Sequence, residues 1–503
     1  MSDLSTIFGS NLLCWCRNWF GEDPLPTISS TISTSRIDPT LLSWPDKTSN
    51  AINLTSSDAN PWCVSLSKAL PYAAFENGVI PALSFTIPDG LQPEIFTTPG
   101  VTIGMIVDIS TLVDADVVEG RNDGCLFNLQ LLGGTNKSLT FGFDPLGSGN
   151  LGVQIGIDAN NLSAIKPSCG TCLLMFSNSG TGSIDLYYNG QHSSVALADS
   201  GSLATMVLSS GTIGATASGS PLNLKLREFF IANTAITSAQ AAAILAYVSA
   251  PSNHPLVDYG ATPEAARLIV LGDSISADNG TSGQNGYVDK LVNRLNVTTP
   301  NACRLFNYSI GGITSTQVLA ATPAWLASGM AGIPSGARAV ALIEVGTNDL
   351  FLASGKVNTV LNNLTAMVSL AKAAGATPIV VNMPPRISNS PHNTGYAADA
   401  AAVNALLAEC GAPVVDVTKI WNIQQVNYDN CAAGNTNPWV NIHPNDLGSQ
   451  AWADVVYPVL APLLAMPNTP SAQIAVSFPV RKISALSPAL TPDGVWSNIP
   501  GGG

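Results

Sequence analysis

The sequence has few charged residues. Asp, Glu, Lys and Arg make up 11% of its 503 residues, where an average soluble protein has roughly 25%. The balance is acidic, with a formal net charge of −13. Nucleic acids and anionic membranes are bound by clusters of Lys and Arg, and the sequence contains no such cluster. We therefore expect neither partner, and instead a surface of Ser, Thr, Asn, Gln and Gly that meets neutral or polar ligands.

Long apolar segments are also missing. No run reaches the roughly 18 residues that a membrane-spanning helix needs, so we expect no membrane span. The first residues, "MSDLSTIFGSNLLCWCRNWF", lack the basic segment and the uninterrupted apolar stretch of a secretory signal. We still expect an extracellular, virion-surface or cell-surface location, which the protein would reach by another route or as part of a particle.

The nine cysteines form no recognisable metal-binding or redox pattern. Cys169 and Cys172 are spaced as C-x-x-C, but no second pair stands at zinc-binding spacing and no thioredoxin-like context surrounds them. Cys14 and Cys16 would point the same way in a strand, which disfavours a bond between them. We expect ordinary buried or locally bridged cysteines, and no metal.

Residues 1–250 have the pattern of a β-rich domain. Apolar and polar residues alternate, as on strands with one wet and one buried face, at 139–143, 151–157, 184–188 and 222–227. The run at 101–108 is more evenly apolar and predicts a central strand. Asn189-Gly190 is a strong hairpin signal. Strands separated by turns over most of this region predict a β-sandwich.

The end of this region adds one short helix, for which Thr237 and Gln240 form a capping box. The segment 41–54, "LLSWPDKTSNAINL", and the segment 226–248, a strand followed by that helix, resemble parts of the concanavalin A-like (laminin-G-like) jelly-roll family. The resemblance implies an all-β jelly-roll sandwich. Such domains bind glycans or serve packing and assembly, and both roles stay open here.

The pattern of apolar and polar residues changes after residue 250. Residues 251–263 form a linker that contains Pro and Ser. From 264 to 465, apolar strand-like runs alternate with amphipathic helical patterns, which predicts an α/β three-layer domain with a parallel sheet. Residues 466–503 are rich in Pro, Ser and Gly and predict a loosely ordered C-terminal tail.

Candidate catalytic residues follow three of these runs. Ser274 lies in "GDSIS", Gly312 in "NYSIGGITS" and Asn348 in "VGTND", and all three segments should meet at the carboxyl edge of the sheet. Acyl transfer needs a nucleophile, a base and donors aimed at the oxyanion. Ser274 is the candidate nucleophile, while Gly312 and Asn348 can offer donors. His443 is the candidate base, since the other three histidines precede the domain or lie in a loop.

The four blocks, in this order, resemble the SGNH (GDSL-type) hydrolases over the full length of 264–465. The resemblance implies Ser274 as nucleophile and His443 as base. It also implies an oxyanion hole made of the Ser274 N–H, the Gly312 N–H and the Asn348 amide. An activity of this kind requires no metal or organic cofactor. The G-x-S-x-G elbow of α/β-hydrolases is absent, because position 276 is Ser where that motif has Gly.

Two positions depart from the family pattern. Three residues before the histidine the family usually has an aspartate that orients the imidazole, but here Val440 stands there. A backbone carbonyl could take its place in a Ser-His dyad; Asn441, Asp429 or Asp416 could supply the partner; or the domain could be an impaired relic. The second departure is Ile313, which we expect to place an apolar side chain at the mouth of the site.

Together these observations predict a serine esterase with an attached jelly-roll. The expected substrate is an O-acetylated carbohydrate, with short-chain and lipid esters as alternatives within the same family. The partners would then be an ester-bearing small molecule or an acetylated polysaccharide, with glycan binding by the N-terminal domain. The competing hypothesis is a non-catalytic glycan-binding adhesin or a phage or virion surface fibre with a degenerate hydrolase domain.

Overall fold

The structure is a computed structural model in two compact units, residues 1–467 and 468–503. The described residues are 3–17, 27–32, 39–55, 62–65, 72–75, 83–97, 99–109, 111–112, 124–132, 137–143, 151–155, 161–162, 165, 167–178, 180, 182–196, 206–213, 224–249, 264–277, 286–296, 302–384, 394–418, 443–444, 446–464, 489–490 and 496–497. The predicted linker at 251–263 lies outside them, as does most of the predicted tail at 466–503.

The N-terminal region is built almost entirely of strands. They are β1 (Leu12–Arg17), β2 (Thr27–Ile32), β3 (Pro39–Trp44), β4 (Leu54–Thr55), β5 (Trp62–Ser65), β6 (Tyr72–Phe75), β7 (Leu83–Thr86), β8 (Val101–Ile109), β9 (Gly124–Leu132), β10 (Lys137–Phe143), β11 (Leu151–Ile155), β12 (Asn161–Leu162), β13 (Gly170–Asn178), β14 (Ser183–Tyr188), β15 (Gln191–Ala196), β16 (Val207–Ile213) and β17 (Leu224–Ala232). Among the described residues, two helices accompany them, α1 (Leu4–Phe8) and α2 (Ser238–Val248), with a 3₁₀ turn at Gly9–Asn11.

Antiparallel pairing arranges most of these strands in two layers, which are joined through β6, β5 and β3. One layer runs β1-β17-β8-β13-β14-β15, and the other runs β4-β7-β16-β9-β10-β11-β12. Their facing sides pack through aromatic rings: the ring centroids of Phe127 and Phe176 lie 6.3 Å apart, and those of Phe85 and Phe229 lie 5.4 Å apart. The predicted antiparallel β architecture is confirmed, while the concanavalin A-like assignment stays a prediction.

The central strands of the first layer, β8 and β13, are buried on both faces. The outer face of this layer packs under α1 and α2, where Phe8, Trp15, Phe230 and Tyr247 belong to a second apolar core. This explains why β8 is buried at almost every position, as its evenly apolar sequence predicts. Gly104 of β8 is required by this packing, because a Cβ there would lie 2.1 Å from the Phe230 ring.

Two local predictions in this region are confirmed. Asn189 and Gly190 connect β14 to β15 with positive φ angles of 46° and 87°, as a type I′ hairpin turn requires. The Asn189 side chain also accepts a hydrogen bond from the N–H of Leu173 at 2.7 Å. At the start of α2, the side chains of Thr237 and Gln240 form the expected reciprocal capping box.

The C-terminal region contains a five-stranded parallel sheet. Its strands are β18 (Ala266–Gly272), β19 (Cys303–Asn307), β20 (Arg338–Glu344), β21 (Thr377–Val381) and β22 (Val414–Val415), in the order β19-β18-β20-β21-β22. The helices are α3 (Tyr287–Leu295), α4 (Ser315–Met330), α5 (Thr347–Leu352), α6 (Val357–Ala373), α7 (Tyr396–Leu406) and α8 (Asp446–Leu463), with a 3₁₀ turn at Leu407–Cys410. In the second compact unit, β23 (Ala489–Leu490) pairs antiparallel with β24 (Trp496–Ser497).

The apolar patterns explain why this region folds as a layered α/β structure. β18 is buried at every position, as a strand covered on both faces must be. Amphipathic α3 turns Tyr287, Val288, Leu291 and Leu295 inward. The predicted α/β architecture is confirmed. Because β18 lies between β19 and β20, the loops that follow these three strands converge at one edge of the sheet.

The N-terminal region packs directly on the outer edge of this parallel sheet. Cys169 forms an isolated antiparallel bridge with Leu305 of β19, and its N–H donates to the Leu305 carbonyl at 2.9 Å. The N–H of Leu112 donates to the carbonyl of Asn307 at 2.8 Å. An edge strand that would otherwise expose unpaired backbone groups is thereby covered.

Candidate active site

Ser274 lies in a tight turn directly after β18. The N–H of Ile275 donates to the Asp273 carboxylate at 3.0 Å, and the N–H of Ala277 donates to the Asp273 carbonyl at 3.0 Å. Gly272 allows the turn to close, since a Cβ there would lie 2.5 Å from both Ser276 Cβ and Ser309 Oγ. The serine is fixed by its own turn and is 6% exposed.

His443 lies beside this serine. Its Nε2 is 2.9 Å from Ser274 Oγ, although the two residues are 169 positions apart in the sequence. The histidine precedes α8 and is half-buried. This distance lies within the range in which a base can take a proton from a hydroxyl.

The Gly312 and Asn348 segments flank the serine's strand on either side. Gly312 follows β19 and has a φ of +77°, and no heavy atom lies within 4 Å of the place where a Cβ would stand. Asn348 lies in the first turn of α5 and its Nδ2 donates to the carbonyl of Ile313 at 2.9 Å. Since an amide nitrogen carries two hydrogens, Asn348 can hold the Gly312 loop and still offer a second donor.

The neighbouring Asp349 holds the start of α4. Its carboxylate accepts from the N–H of Ser315 at 2.7 Å and from the Ser315 hydroxyl at 2.8 Å. Burial raises the pKa of Asp349, and the hydrogen bonds from Ser315 act in the opposite direction. Asp349 therefore ties the segment after Gly312 to α5.

A pair of buried carboxyl groups lies behind the serine turn. Burial raises the pKa of Asp273 to about 7, while the nearby His443 acts to lower it. Burial also raises the pKa of Glu344 well above its usual value, and the charge of Asp273 adds to this effect. Glu344 accepts a hydrogen bond from Ser276 Oγ at 2.7 Å, and that hydroxyl lies 2.6 Å from the Tyr287 hydroxyl.

The candidates for orienting His443 fall into two groups. Asn441 and Asp429 lie outside the described residues. Asp416 follows β22, and its Oδ1 accepts from Asn382 Nδ2 at 2.8 Å, from the Thr418 N–H at 3.0 Å and from the Thr418 hydroxyl at 2.6 Å. These bonds use Asp416 to join the ends of β21 and β22.

The expectation for Ile313 is wrong. Its side chain is 2% exposed and belongs to the main apolar core, so it does not line the mouth of the site. The reason is the positive φ of Gly312, which turns the chain so that the next side chain points inward. The carbonyl of Ile313, and not its side chain, faces Asn348.

The described part of the chain shows neither a disulfide nor a cluster of side chains that could hold a metal ion. Six of the cysteines, Cys14, Cys16, Cys169, Cys172, Cys303 and Cys410, are buried and form no disulfide, and burial raises the pKa of the Cys172 and Cys303 thiols. No group of three or more His, Cys, Asp or Glu side chains with the spacing of a metal site occurs among the described residues. Over the same residues, no helix combines the length and apolarity needed to cross a membrane.

Comparison with known families assigns the C-terminal region. Residues 270–451 match the GDSL-like Lipase/Acylhydrolase family. This segment is a GDSL-like acylhydrolase domain. The assignment supports an ester-hydrolysing activity at the general level. No curated protein matches the chain.

Solved structures similar to the chain include several proteins described as esterases or acylhydrolases. TesA is 28% identical, with 40% of this chain and 99% of that chain covered and a TM-score of 0.31. The esterase EstA from Pseudoalteromonas sp., in a structure inhibited by monoethylphosphonate, is 23% identical, with 40% and 98% covered and a TM-score of 0.31. The lipase/acylhydrolase from Enterococcus faecalis is 18% identical, with 40% and 97% covered and a TM-score of 0.30.

Sequence reasoning missed the buried residues that support the acylhydrolase site. Ser276, Glu344 and Asn307 lie behind the serine turn with exposed fractions of 0%, 2% and 0%. A usable signal was present for Glu344 and Asn307, because each is a polar residue that ends an otherwise apolar strand pattern. What they contact depends on the strand order, which the pattern alone does not provide.

Proposed function

We propose that the acylhydrolase domain hydrolyses acetyl esters on a carbohydrate, with Ser274 as nucleophile and His443 as general base. The observation that carries the proposal is the 2.9 Å distance from Ser274 Oγ to His443 Nε2. A serine hydroxyl is a weak nucleophile until an adjacent base accepts its proton. The general ester-hydrolysing activity comes from the family, while the residues and the substrate are the proposal.

In the first step, His443 Nε2 takes the proton of Ser274 as Oγ attacks the ester carbonyl carbon. The negative charge that develops on the carbonyl oxygen would be met by the N–H groups of Ser274 and Gly312 and by the Asn348 amide. The open space around Gly312 leaves room for this oxygen. Collapse of the tetrahedral intermediate breaks the ester C–O bond, and the protonated imidazole gives its proton to the leaving alcohol.

In the second step, water attacks the acyl group on Ser274. His443 accepts a proton from the water and returns it to Ser274 Oγ as the acyl–enzyme bond breaks. The products are the free acid and the restored serine. Every proton transfer in this cycle passes through Nε2 of His443.

The imidazole must be held in one tautomer for this to work. Oδ1 of Asp416 already accepts hydrogen bonds from Asn382 and Thr418, which favours a structural role. We propose that Asn441, Asp429 or a backbone carbonyl orients His443 in preference to Asp416, since the Val440 side chain has no hydrogen-bonding group.

Support for a carbohydrate substrate comes from composition and architecture. A sequence with only 11% charged residues suits a neutral polymer better than an ionic one. The strand-built N-terminal region is proposed to bind the glycan. Short-chain and lipid esters are the competing substrates, and a non-catalytic adhesin or surface fibre is the competing function.

The test is hydrolysis by the full chain of p-nitrophenyl acetate, longer p-nitrophenyl esters and acetylated xylan, each compared with Ser274→Ala. Loss of a triad serine lowers kcat by about 10⁶-fold in a well-studied protease, so we expect Ser274→Ala to lose at least about 10⁴-fold. Acetate release from xylan supports the carbohydrate proposal, and preference for long acyl chains points to lipid esters. A folded wild-type protein that is inert on every ester would favour the adhesin.

A further inference from the structure

The two loops that carry the proposed oxyanion-hole N–H groups share a buried tether. The side chain of Asn307 is fully buried. Its Nδ2 donates to the carbonyl of Ser276 at 3.0 Å, and its Oδ1 accepts from the N–H of Ser309 at 3.1 Å. One amide therefore joins the turn that holds Ser274 to the segment that leads to Gly312.

The backbone of Asn307 is held from outside the acylhydrolase domain. Its carbonyl accepts from the N–H of Leu112 at 2.8 Å, and its N–H donates to Cys169 Sγ at 3.5 Å. Cys169 is fixed in turn by its bridge to Leu305. Both groups that hold the Asn307 backbone on this side thus come from the N-terminal region.

A second contact joins the two regions on the other side of the serine turn. Lys225 of β17 pairs with Asp289 of α3 at 3.3 Å, and both side chains are largely shielded from water. The same helix carries Tyr287, whose hydroxyl lies 2.6 Å from Ser276 Oγ. The N-terminal region therefore contacts two of the elements that pack against Ser276, namely β19 and α3.

We propose that Asn307 is a positioning residue that aligns the N–H groups of Ser274 and Gly312, and that the N-terminal region holds it in place through Leu112 and Cys169. This rests on the proposed function. Misalignment of the two donors by a fraction of an ångström weakens the hydrogen bonds formed in the transition state. The N-terminal region is thus a working part of the esterase site as well as a neighbouring domain.

The main test compares Asn307→Ala with Asn296→Ala in the full chain. Asn296 is a matched control, because its side-chain amide also forms a pair of hydrogen bonds. It donates to the carbonyl of Cys303 and accepts from the N–H of Cys303, at 2.9 Å each, at the far end of β19. Removing one oxyanion-hole donor costs about 10²- to 10³-fold in kcat. We expect Asn307→Ala to lose about 10²-fold in kcat with little change in KM, and Asn296→Ala to keep the wild-type kcat.

A second readout separates positioning from loss of stability. A boronic acid that forms a tetrahedral adduct on Ser274 should bind more weakly to Asn307→Ala by the same factor as the fall in kcat/KM. A merely destabilised enzyme would bind it normally at a temperature where the protein is folded. If Asn307→Ala fails to fold, Asn307→Asp keeps the volume and the acceptor for Ser309 but replaces the donor to Ser276, and the same loss is expected.

The role of the N-terminal region is tested with Cys169→Ala and Cys172→Ala. Both thiols are buried in the same C-x-x-C segment, but Cys169 Sγ is the one that accepts from Asn307. We expect a several-fold fall in kcat for Cys169→Ala only. Equal kcat in the two variants would overturn this part of the proposal, and wild-type kcat in folded Asn307→Ala would overturn the whole of it. An inactive wild-type protein would instead overturn the proposed function, so the two failures are distinguishable.

Discussion

The N-terminal β region and the acylhydrolase domain treat buried polar groups differently. In the β region, the Asp46 carboxylate, 7% exposed, accepts hydrogen bonds from Trp15, Thr48 and Ile52. Among the described residues, every buried side-chain polar atom left without a partner lies at or beyond residue 273. Buried polar groups are normally paired, so each exception has a cost in stability.

Three of these exceptions, all hydroxyl groups, lie close to the candidate site in the sequence. The hydroxyls of Ser309, Thr347 and Ser449 are buried without a hydrogen-bond partner. Ser309 precedes Gly312, Thr347 adjoins Asn348, and Ser449 follows His443 within the first turns of α8. Within the described residues, the β region therefore pairs its buried polar groups, whereas the acylhydrolase domain leaves some unpaired near the candidate site, as functional sites often do.

The largest expected effect is on the packing of the β region. Phe127 is 1% exposed and contacts Phe141 and Phe176. Removal of a buried Phe ring costs about 3–5 kcal/mol, so Phe127→Ala should lower the free energy of unfolding by that amount in denaturant titration. At a temperature where the variant is folded, its kcat should equal the wild-type value, because the ring contacts of Phe127 are with Phe141 and Phe176 inside the β region. A large fall in kcat would contradict the expectation that Phe127 contributes to stability and not to catalysis.

In the acylhydrolase domain, Asn348→Ala should lower kcat strongly and the stability only slightly, the reverse of Phe127→Ala. We expect kcat to fall by about 10²- to 10³-fold, because the amide would stabilise the charge that develops in the transition state. The loss of its bond to the Ile313 carbonyl should cost only about 1 kcal/mol in stability. Steady-state kinetics and thermal unfolding of the same preparation measure both. A stability loss without a kinetic one would place Asn348 outside the oxyanion hole.

Two serines of the acylhydrolase domain sharpen the contrast between paired and unpaired hydroxyls. The Ser315 hydroxyl donates to Asp349 and accepts from Asn363, whereas that of Ser449 has no partner. Ser315→Ala leaves buried partners unsatisfied and should cost about 1–3 kcal/mol, while Ser449→Ala should leave the stability unchanged or raise it. Chemical denaturation compares the two, and equal losses would show that the Ser449 hydroxyl is satisfied in solution.

The last expected effect is a pH dependence of stability. The pKa of Asp273 is raised to about 7 in the folded protein, so the fold binds a proton that the unfolded chain releases near its ordinary value of about 4. The contribution of Asp273 is complete below that ordinary value and is lost as the pH rises through about 7. Asp273→Asn should therefore show a smaller fall in Tm between about pH 4 and about pH 8 than the wild type. An identical pH slope in both proteins would contradict a raised pKa.

Patterns in the sequence were enough for the architecture. Continuous apolar runs and amphipathic helices predicted the parallel sheet. Asn189-Gly190 predicted the hairpin between β14 and β15 in the N-terminal region. Both features depend on local chemistry. The inward direction of Ile313 and the tether of Asn307 were not predictable in the same way. Both depend on how β19 and β18 align and on backbone angles at Gly312, which no single short segment determines.

The packing of the N-terminal region on β19 was the feature that the sequence indicated least. Cys169 reads as part of a C-x-x-C pair, and nothing local indicates that its backbone bonds to Leu305, which is 136 positions away. Such contacts arise from tertiary packing and not from periodicity. The roles of Ser274, His443, Gly312 and Asn348 stay predictions, to which the structure adds the distances that make them testable.

The most direct test of the central claim is covalent labelling with a fluorophosphonate, followed by mass spectrometry of the modified peptide. The probe reacts with a serine only when a neighbouring base activates it. Wild-type protein should be labelled on Ser274, and folded His443→Ala should be labelled far more slowly. Absence of label on Ser274 in the folded wild-type protein, or equal labelling of His443→Ala, would contradict the account.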